Sequence, residues 1–413
     1  MAENYLDHFV CLRCQAIYPP DASSATCTAC GGNLDARYDY TAIGRVFTPE
    51  RLKENPDRSL WRYAPFFPNR LECSPLAMPI GMTPLIRASR LAGHLGLSDL
   101  HIKNDTLNPS GSFKDRASLM VLAHCMENNI SRIAAASTGN AGTSLACLAA
   151  ASGKQAVIFV PESAPRPKVA QLMIFGARIF LVRGDYSRAF DLCQEVCLRM
   201  GWFNRNTGTN PYTREGKKTV AFEIWEQMGQ RCPDAVVVSV GDGNIISGVY
   251  KGFFDLLQAG LIPKVPRIIG VQSENSAAIA NAFHGDGTIR RVTANTVADS
   301  ISAAFPSDGD AALAAARNSG GTFVTVSEEK ILESIKILAM TEGVFAEPSG
   351  AAGIAGIEKL LAGGELAPAD SVALIVTGSG LKDVEAAFKV TGTPEVVEPD
   401  PDAVLSVLQK EPL

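Results

Sequence analysis

Short apolar segments alternate with amphipathic stretches through the middle and end of the chain. Six of the apolar segments are rich in Ala, Val and Ile, and several end in Gly or small polar residues. Continuous apolar strands that alternate with helices are typical of parallel sheets covered by helices on both faces. The predicted strands are 133–137, 156–160, 179–182, 236–240, 268–272 and 372–377, and the predicted helices include 143–151, 188–200, 219–228, 331–341 and 351–361.

The flanks of this alternating region have other patterns. Residues 41–95 contain closely spaced prolines, which predict an extension with short helices laid across a surface. Two more short strands, 84–87 and 99–104, lead into the alternating region. From about residue 391 the chain is rich in Pro, Glu and Asp, which predicts a loosely wrapped tail before a last helix.

Length, composition and charge exclude some classes of protein. A length of 413 residues predicts two or three domains with ample core. Hydrophobic residues make up 46% and charged residues 20% of the chain, which is ordinary for a soluble globular enzyme. The net charge of −5 creates no field that favours nucleic acid. No apolar run reaches about 18 residues and no basic and apolar signal segment begins the chain, so we expect no membrane contact.

Ten cysteines fall into two groups. Six are scattered, several in apolar helical contexts, which indicates reduced thiols and a cytoplasmic location. The other four form two Cys-x-x-Cys pairs, each able to hold a metal from one tight turn. This spacing predicts a structural zinc site, with a ribbon that has lost its metal as the alternative. The predicted zinc ligands are Cys11, Cys14, Cys27 and Cys30.

The stretch 108–118, Asn-Pro-Ser-Gly-Ser-Phe-Lys-Asp-Arg-Ala-Ser, contains the main candidate for chemistry. It turns sharply at Pro109 and Gly111 and re-enters a regular pattern at Lys114. The positive end of a helix macrodipole repels a cation, so a lysine there has a lowered pKa. A neutral lysine amine is the group that forms a Schiff base, most often with pyridoxal 5'-phosphate (PLP). A solvated surface lysine is the alternative.

The loop Gly241-Asp-Gly-Asn244 lies where a buried strand becomes a helix. Glycines allow backbone N–H groups to converge on an anion, and the helix dipole favours its charge. The loop lacks the third glycine of a dinucleotide fingerprint, and the chain contains no nucleoside-triphosphate P-loop. A monophosphate such as that of PLP therefore fits best.

Two more turns could complete a cofactor site. The hydroxyls and N–H groups of Ser137-Thr-Gly-Asn140-Ala-Gly could hold a carboxylate, and Asn140 could donate to a phenolate oxygen. The alternative is a helix cap for a helix that begins near Thr143. Thr377 ends the last predicted strand, where its hydroxyl could meet a pyridine nitrogen. A buried threonine bonded to backbone is the alternative for Thr377.

Together these motifs resemble the threonine synthase family, PLP enzymes of the tryptophan-synthase-β fold type, some of which have an N-terminal four-cysteine ribbon. The resemblance covers roughly residues 11–390. The motifs that carry it are Gly-Ser-Phe-Lys114-Asp-Arg, Ser137-Thr-Gly-Asn140, Asn210-Pro-Tyr, Glu215-Gly-Lys-Lys-Thr219, Tyr250-Lys-Gly-Phe and Thr377-Gly-Ser-Gly-Leu-Lys-Asp.

The resemblance implies a role for each motif. Lys114 would hold PLP covalently and move protons at Cα and Cβ, and Thr377 would face the ring nitrogen. The implied cofactor-binding residues are Lys114, Asn140, Gly241, Asp242, Gly243, Asn244, Ile245 and Thr377, and the implied substrate-binding residues are Ser137, Thr138, Asn210 and Arg214. Three positions depart from the family pattern: Thr213 stands where an Arg usually binds the substrate phosphate, Asp242 lies in the cofactor loop, and Ser379 replaces a common His.

The resemblance also implies a fold and a reaction. The fold is α/β, PLP fold type II, with two αβα domains of mostly parallel sheets and a small zinc-ribbon-like element. The implied domains are the ribbon at 1–40, a large PLP-binding domain from 41–110 and 216–413, and a small domain at 111–215. A homodimer is expected by analogy with this fold.

The implied reaction converts a small amino-acid phosphate, O-phospho-L-homoserine, and water to L-threonine and phosphate, by γ-elimination and β-addition. This is the work of a PLP-dependent carbon–oxygen lyase acting on phosphates. Two enzymatic alternatives stay open: β-replacement on O-phosphoserine, as in cysteate synthase, and dehydration of threonine or serine. A non-catalytic binding protein that kept the fold is a remote alternative.

Overall fold

A small antiparallel sheet precedes two larger ones. The computed structural model describes residues 4–22 and 25–408. Within the first of these sheets the strand order is β2-β1-β3, and the chain bearing the two Cys-x-x-Cys pairs forms its turns. The strands are β1 (Leu6–Cys11), β2 (Ile17–Tyr18) and β3 (Leu34–Tyr38).

The next segment is built from short elements, as the prolines predict. Asp39 and Thr48 cap the first two helices, because their side chains accept hydrogen bonds from backbone N–H groups in the first turns. The elements are α1 (Tyr40–Val46), α2 (Pro49–Glu54), a 3-10 helix (Leu60–Phe66), β4 (Leu85–Arg87), α3 (Ser89–Leu95), β5 (Asp99–Asn104) and a 3-10 turn (Asp105–Leu107).

A four-stranded parallel sheet follows, with strand order β8-β7-β6-β9. It lies within the predicted small-domain range 111–215. Its elements are α4 (Lys114–Glu127), β6 (Arg132–Ala136), α5 (Asn140–Ala151), β7 (Gln155–Pro161), α6 (Arg166–Met173), β8 (Arg178–Val182), α7 (Tyr186–Met200), β9 (Phe203–Asn204) and α8 (Tyr212–Lys217).

The six-stranded sheet draws strands from both flanks of the chain. Its order is β12-β11-β10-β13-β5-β4, and every neighbouring pair is parallel except β4 with β5. Its remaining elements are α9 (Thr219–Gln227), β10 (Ala235–Ser239), α10 (Asn244–Gln258), β11 (Arg267–Ser273), α11 (Ala278–His284), α12 (Gly309–Asn318), β12 (Phe323–Val326), α13 (Glu328–Glu342), α14 (Pro348–Ala351), α15 (Gly353–Ala362), β13 (Ser371–Val376), α16 (Val384–Thr391) and α17 (Pro401–Leu408).

Helices cover both faces of the large sheet. Along β10, the side chains of Val236 and Val238 pack into one apolar cluster and that of Val237 into another. All three are fully buried. The architecture is therefore α/β, with helices packed around mostly parallel sheets, as the continuous apolar strands predict. Among the described residues, no helix is both long and apolar enough to span a bilayer.

The predicted strands are confirmed with ends that differ by at most one residue. Four helix predictions are wrong at their starts by two or three residues, since the observed helices begin at Asn140, Tyr186, Glu328 and Gly353. The helix predicted at 143–151 begins at Asn140, because Gly139 serves as its N-cap without any side-chain cap. The helix predicted at 351–361 is preceded by a separate short helix, α14, which begins at Pro348.

A buried ion network joins elements that pack around the two larger sheets. Arg116, in the first turn of α4, donates to Asp105 beyond β5 (Nε–Oδ2 2.6 Å) and to Glu223 on α9 (Nη1–Oε1 2.5 Å). Lys103 also contacts Glu223 (Nζ–Oε2 2.6 Å), and all four side chains are fully buried. Burial raises the pKa of Glu223, but Arg116 and Lys103 outweigh it and bring the pKa down to about 2. The network thus fixes where α4 begins.

The close packing of α8 on α4 generates a stability prediction. A methyl group at Gly216 would overlap the carbonyl oxygen of Arg116, which is backbone and cannot swing aside. Gly216→Ala should lower the free energy of unfolding by about 1–3 kcal/mol or more, measured by urea denaturation. Gly93→Ala, within α3 with nothing inside 4 Å of the added methyl group, is the control and should be neutral or stabilising by up to about 1 kcal/mol. Equal effects of the two changes would contradict this packing.

Candidate active site and four-cysteine cluster

A cavity of about 890 Å³ lies between the two larger sheets, at the carboxyl ends of their strands. Ligands of parallel α/β folds bind at this edge. Ten of the residues predicted for cofactor or substrate line the cavity, although they come from four separate parts of the chain. They are Lys114, Ser137, Thr138, Asn140, Gly241, Asp242, Gly243, Asn244, Ile245 and Thr377.

Lys114 is the first residue of α4, in the position predicted from its sequence. The preceding turn is tied to the last strand of the large sheet, because Phe113 N–H donates to the Thr377 carbonyl (2.8 Å). Burial, together with the charge on Arg205, lowers the pKa of Lys114 to about 8, and Asp242 and Glu347 oppose this shift. The amine is therefore partly neutral near physiological pH, as a nucleophile must be.

The turn that follows β10 accepts only glycine at two positions. A methyl group at Gly241 would lie 2.8 Å from Ile301 Cα, and one at Gly243 would lie 2.7 Å from the Asp308 carbonyl oxygen. Gly243 also has φ +89°, which favours glycine. Asn244 then begins α10, so the turn presents backbone N–H groups at the positive end of a 15-residue helix. This cradle suits a phosphate.

Asp308 supports this turn from behind and is missed by the sequence reasoning, because it belongs to no motif. It accepts hydrogen bonds from Asn244 Nδ2 (2.7 Å), Ser247 Oγ (2.6 Å) and Asn33 Nδ2 (2.6 Å). Arg214 Nη2 donates to it at 2.5 Å. Its own N–H donates to the carbonyl oxygen of residue 242 (2.9 Å). Asp308 thereby holds the loop and the first turn of α10 in one position.

Arg214 does not line the cavity. Its guanidinium is buried and donates to Asp308, to Asp35 (3.3 Å), to the Leu34 carbonyl (3.1 Å) and to Ser247 (3.2 Å). The resemblance implies that Arg214 binds substrate, but α8 is a helix, in which each residue turns the side chain by about 100°, and this turns Arg214 away from the cavity. The structure therefore places Arg214 in the support of the loop.

Asn210 also lies outside the cavity lining. Its Nδ2 donates to the Asn204 carbonyl (2.9 Å) and its Oδ1 accepts from Thr213 N–H (3.1 Å). These bonds cap the start of α8 and occupy both ends of the amide. The side chain thus orders the chain between β9 and α8 in this structure.

Asn140 reaches across the cavity to the large sheet. Its Nδ2 donates to Glu347 Oε1 (2.8 Å) and to Ser300 Oγ (3.2 Å). Burial raises the pKa of Glu347, against the effect of Lys382 and of these hydrogen bonds. The alternative that Asn140 caps a helix is wrong, because it is inside the first turn of α5 and its side chain points to Glu347. No local pattern marks Glu347 as part of the site.

Thr377 is buried directly beyond β13, at the edge of the cavity. Its carbonyl oxygen accepts the Phe113 hydrogen bond. Within the part of the chain that the structure describes, its hydroxyl makes no hydrogen bond to backbone, so the alternative of a backbone-bonded threonine finds no support. The hydroxyl remains available to a ligand.

Two buried cations in the cavity wall are also absent from the predicted set. Lys217 is buried and donates to Asn244 Oδ1 (2.5 Å), and burial together with Lys114 and Arg205 holds its pKa well below the usual value. Arg205 is buried, and both of its Nη atoms have no hydrogen-bond partner among the described residues. Lys217 belongs to a motif noted in the sequence, whereas nothing local distinguishes Arg205.

The four predicted metal ligands come together in the N-terminal sheet. One sulfur atom from each of the four cysteines lies within 4.8 Å of the other three. Two sulfur pairs, Cys11 with Cys30 and Cys14 with Cys27, are 3.5 Å apart. The N–H groups of Arg13 (3.4 Å) and Cys14 (3.5 Å) point at Cys11 Sγ. This donor set fits a tetrahedral metal site.

The chain matches known proteins along most of its length. Residues 76–378 match the model of a family described as "Pyridoxal-phosphate dependent enzyme". The chain is 35% identical over 403 residues to "Threonine synthase" of Methanocaldococcus jannaschii, covering 97% of this chain and 99% of that protein. It is 36% identical over 401 residues to "Threonine synthase" of Methanosarcina acetivorans, covering 96% and 97%.

The chain belongs to the threonine synthase family of PLP-dependent enzymes. Its fold also resembles solved PLP enzymes. The processed form of threonine deaminase isoform 2 from Solanum lycopersicum superposes with a TM-score of 0.65 at 23% identity, covering 75% of this chain and 87% of that one. The O-ureido-L-serine synthase structure gives 0.65 at 22% identity, covering 79% and 97%. The fold is therefore PLP fold type II.

The threonine synthase family assignment agrees with the chemistry of the cavity. The cofactor needs an amine, a phosphate cradle and a polar group near its ring. Lys114 offers a partly neutral amine, and the Gly241 and Gly243 turn leaves room that a side chain would fill. Thr377 offers a hydroxyl. The residues present therefore fit PLP.

The lowered pKa of Lys114 makes the capture of PLP depend on pH. With a pKa of about 8, only about one-tenth of the amines are neutral at pH 7. In protein freed of its cofactor, the rate of covalent PLP capture should rise about tenfold from pH 6 to 7 and level off above pH 8. Stopped-flow absorbance measures the rate, and Lys114→Ala should give no covalent product. A rate that is flat from pH 6 to 9 would contradict the shifted pKa.

Proposed function

We propose that this enzyme is a threonine synthase, which converts O-phospho-L-homoserine and water to L-threonine and phosphate. The observation that carries the proposal is 35% identity over 97% of the chain to a protein named threonine synthase. The reaction breaks the Cγ–O bond of the substrate and releases phosphate. One proton leaves Cβ, the hydroxyl of water adds to Cβ, a proton is delivered to Cγ, and the other proton of water goes to the released phosphate, so atoms and charge balance.

Bound PLP would supply an electron sink for the amino acid that is attached to it. Lys114 would then be the base that removes and returns protons at Cα and Cβ, since its lowered pKa lets the amine act in both directions near neutral pH. Ser137 and Thr138 would hold the substrate carboxylate at the start of α5. Thr377 would meet the pyridine nitrogen with a neutral hydroxyl, which does not force its protonation.

The remaining cofactor contacts follow from the cavity wall. Residues 241–245 would bind the cofactor phosphate through backbone N–H groups, with Asp308 holding the turn. Asn140 would donate to the phenolic oxygen in place of Ser300, while its bond to Glu347 holds the amide in position. Closure of the two sheets over the cavity would keep water away from the early carbanion.

A second candidate is β-replacement on O-phosphoserine. It is favoured by the position of Arg214, which is engaged by Asp308 and Asp35 and cannot serve the substrate phosphate from there. Thr213 is likewise buried and bonded to Asn210. A substrate that loses its phosphate from Cβ would place that group elsewhere in the cavity. Dehydration of a hydroxy-amino acid stays the third candidate, and the intact Lys114 disfavours a non-catalytic role.

A substrate panel distinguishes these reactions. We expect the PLP-loaded protein to release equal amounts of phosphate and threonine from O-phosphohomoserine. Phosphate release from O-phosphoserine, with capture of an added nucleophile at Cβ, would favour the second candidate. Keto-acid release from threonine alone would favour a dehydratase. Lys114→Ala is the control for every substrate, and phosphate release that survives in it would contradict the assigned base.

We infer that the four cysteines bind a structural zinc ion. The support is the thiolate geometry of the cluster and its separation from the cavity lining. The cytoplasmic location and the homodimer remain predictions. None of the ten cysteines is in a disulfide bond, which agrees with a reducing compartment.

The zinc site makes a direct prediction. Cys14→Ser should reduce bound zinc from about one ion per chain to a small fraction, because a serine hydroxyl is a poor zinc ligand at neutral pH. Cys73→Ser is the matched control, since Cys73 is also exposed but lies outside the cluster. Elemental analysis of protein purified without chelator measures both. Unchanged zinc in Cys14→Ser would refute a four-thiolate site.

A further inference from the structure

Arg205 is a buried cation that makes no ion pair among the described residues, although the charge on Asp115 acts on it. It follows β9, has 0% exposure, and lines the cavity. Its Nε donates to Ser118 Oγ at 3.3 Å, but Nη1 and Nη2 have no partner among the described residues. A buried guanidinium with unused donors costs free energy unless an anion joins it. Such an arrangement indicates that an anionic ligand supplies the negative charge that pairs with the guanidinium.

The contrast with Arg214 identifies which arginine is available. Both are buried, but Arg214 donates to two carboxylates, a carbonyl oxygen and a hydroxyl. Five carboxylates line the cavity, and among the described residues none of them makes a hydrogen bond or ion pair with Arg205. Glu347 accepts from Asn140 and Asp242 from the N–H of residue 307, while Lys168 and the N–H of Arg188 donate to two of the others, Asp299 and Asp185. The guanidinium of Arg205 therefore keeps unused donors for an anion.

The backbone fixes where this guanidinium stands. Arg205 N–H donates to the Ala134 carbonyl (2.9 Å), and Asn206 Oδ1 accepts from Ala136 N–H (2.8 Å). These bonds hold Arg205 at the carboxyl end of β6, next to the turn that begins at Ser137. Arg205 thus belongs to the small sheet, whereas the cofactor-phosphate turn belongs to the large sheet.

The cofactor-phosphate turn already has its own cation. Lys217 donates to Asn244 at the start of α10, beside the glycine turn. The cavity lining therefore contains two buried positive groups besides Lys114, one at the cofactor turn and one at the opposite sheet, whereas the further cation of the lining, Arg291, is exposed. A substrate that carries its own phosphate brings a second tetrahedral anion to this cavity.

We propose that Arg205 binds the phosphate of the substrate. It thereby takes the role of the arginine that usually stands in the family where this chain has Thr213. This inference rests on the proposed function, because it assumes an O-phospho amino acid. A guanidinium matches two phosphate oxygens with parallel N–H bonds. The charge on the bridging oxygen grows as the carbon–oxygen bond breaks, so a fixed cation also stabilises the leaving phosphate. Arg205 is thereby a specificity-determining residue for phosphorylated substrates.

The test compares ligands with and without a phosphate-like group. The PLP-loaded wild type, Arg205→Met and Arg205→Lys are titrated with 2-amino-5-phosphonopentanoate, 2-amino-4-phosphonobutyrate and L-threonine, and the cofactor absorbance reports binding. The two phosphonates imitate O-phosphohomoserine and O-phosphoserine. Arg178→Met is the matched control, because Arg178 lies on β8 of the same sheet and is exposed.

We expect Arg205→Met to weaken binding of at least one phosphonate by about tenfold or more. L-threonine affinity and PLP retention should change by less than about twofold, and Arg205→Lys should give an intermediate loss because it keeps a point charge. The Tm of ligand-free Arg205→Met should be unchanged or higher, since an unpaired buried charge is removed. A purely structural arginine would lower it.

The other outcomes overturn the inference. Equal losses for phosphonates and L-threonine would assign Arg205 to the substrate carboxylate, and loss of PLP retention would assign it to the cofactor phosphate. Unchanged affinities, or a wild type that binds neither phosphonate, would leave it no role in phosphate binding. Failure of the proposed function gives a different result. A protein that turns over only O-phosphoserine is not a threonine synthase, but its affinity for the shorter phosphonate still shows whether Arg205 binds the substrate phosphate.

Discussion

The position of the reactive amine depends on one buried guanidinium. Arg116 forms two-point contacts with Asp105 and with Glu223, and these carboxylates belong to the unit opposite to the helix that carries Arg116. Such a network is stable only when every charge is paired, because an unpaired charge in the interior is very costly. Since Lys114 is two residues before Arg116, its backbone is set by the same contacts. The position of Lys114 in the cavity therefore depends on the ion network that connects the elements around the two larger sheets.

The charges around the cavity have a different character. Every charge of the network at Arg116 is paired, whereas Lys114, Lys217 and Arg205 share one cavity without an ion pair among the described residues. Burial is the main cause that lowers the pKa of the two lysines, and the charge on Arg205 adds to it. Burial of the cavity wall therefore keeps the amine of Lys114 reactive and also leaves the donors of Arg205 without solvent.

The sequence predicts local features of the fold and the site well. Apolar runs mark each strand, and glycines such as Gly243 mark turns that no other residue fits. The functional role of the first residue of α4 is predictable, because the first turn of a helix ordinarily disfavours a cation such as Lys114. Contacts between distant parts of the chain are not predictable in this way. Asp308 and Glu347 lie in unremarkable stretches, and only the fold brings them to the cavity.

Arg214 shows that a family motif does not by itself determine the direction of a side chain. Its neighbourhood matches the family, but whether the segment is extended or helical decides which way each side chain points. In α8 the guanidinium turns towards Asp35 and Asp308, and the cavity is left to Arg205, which no motif contains. Side-chain direction depends on secondary structure that a short polar segment does not reveal.

Asn33 connects the outermost part of the molecule to its centre. It stands three residues after Cys30 in the ribbon and bonds both to Asp308 and to the carbonyl of Ser307. Through Asp308 the ribbon rests directly behind the glycine turn. The four-cysteine cluster lies outside the cavity lining, yet it holds the segment that carries Asn33. A displacement of this segment that breaks the hydrogen bond between Asn33 and Asp308 would therefore weaken the support of the cofactor-phosphate turn.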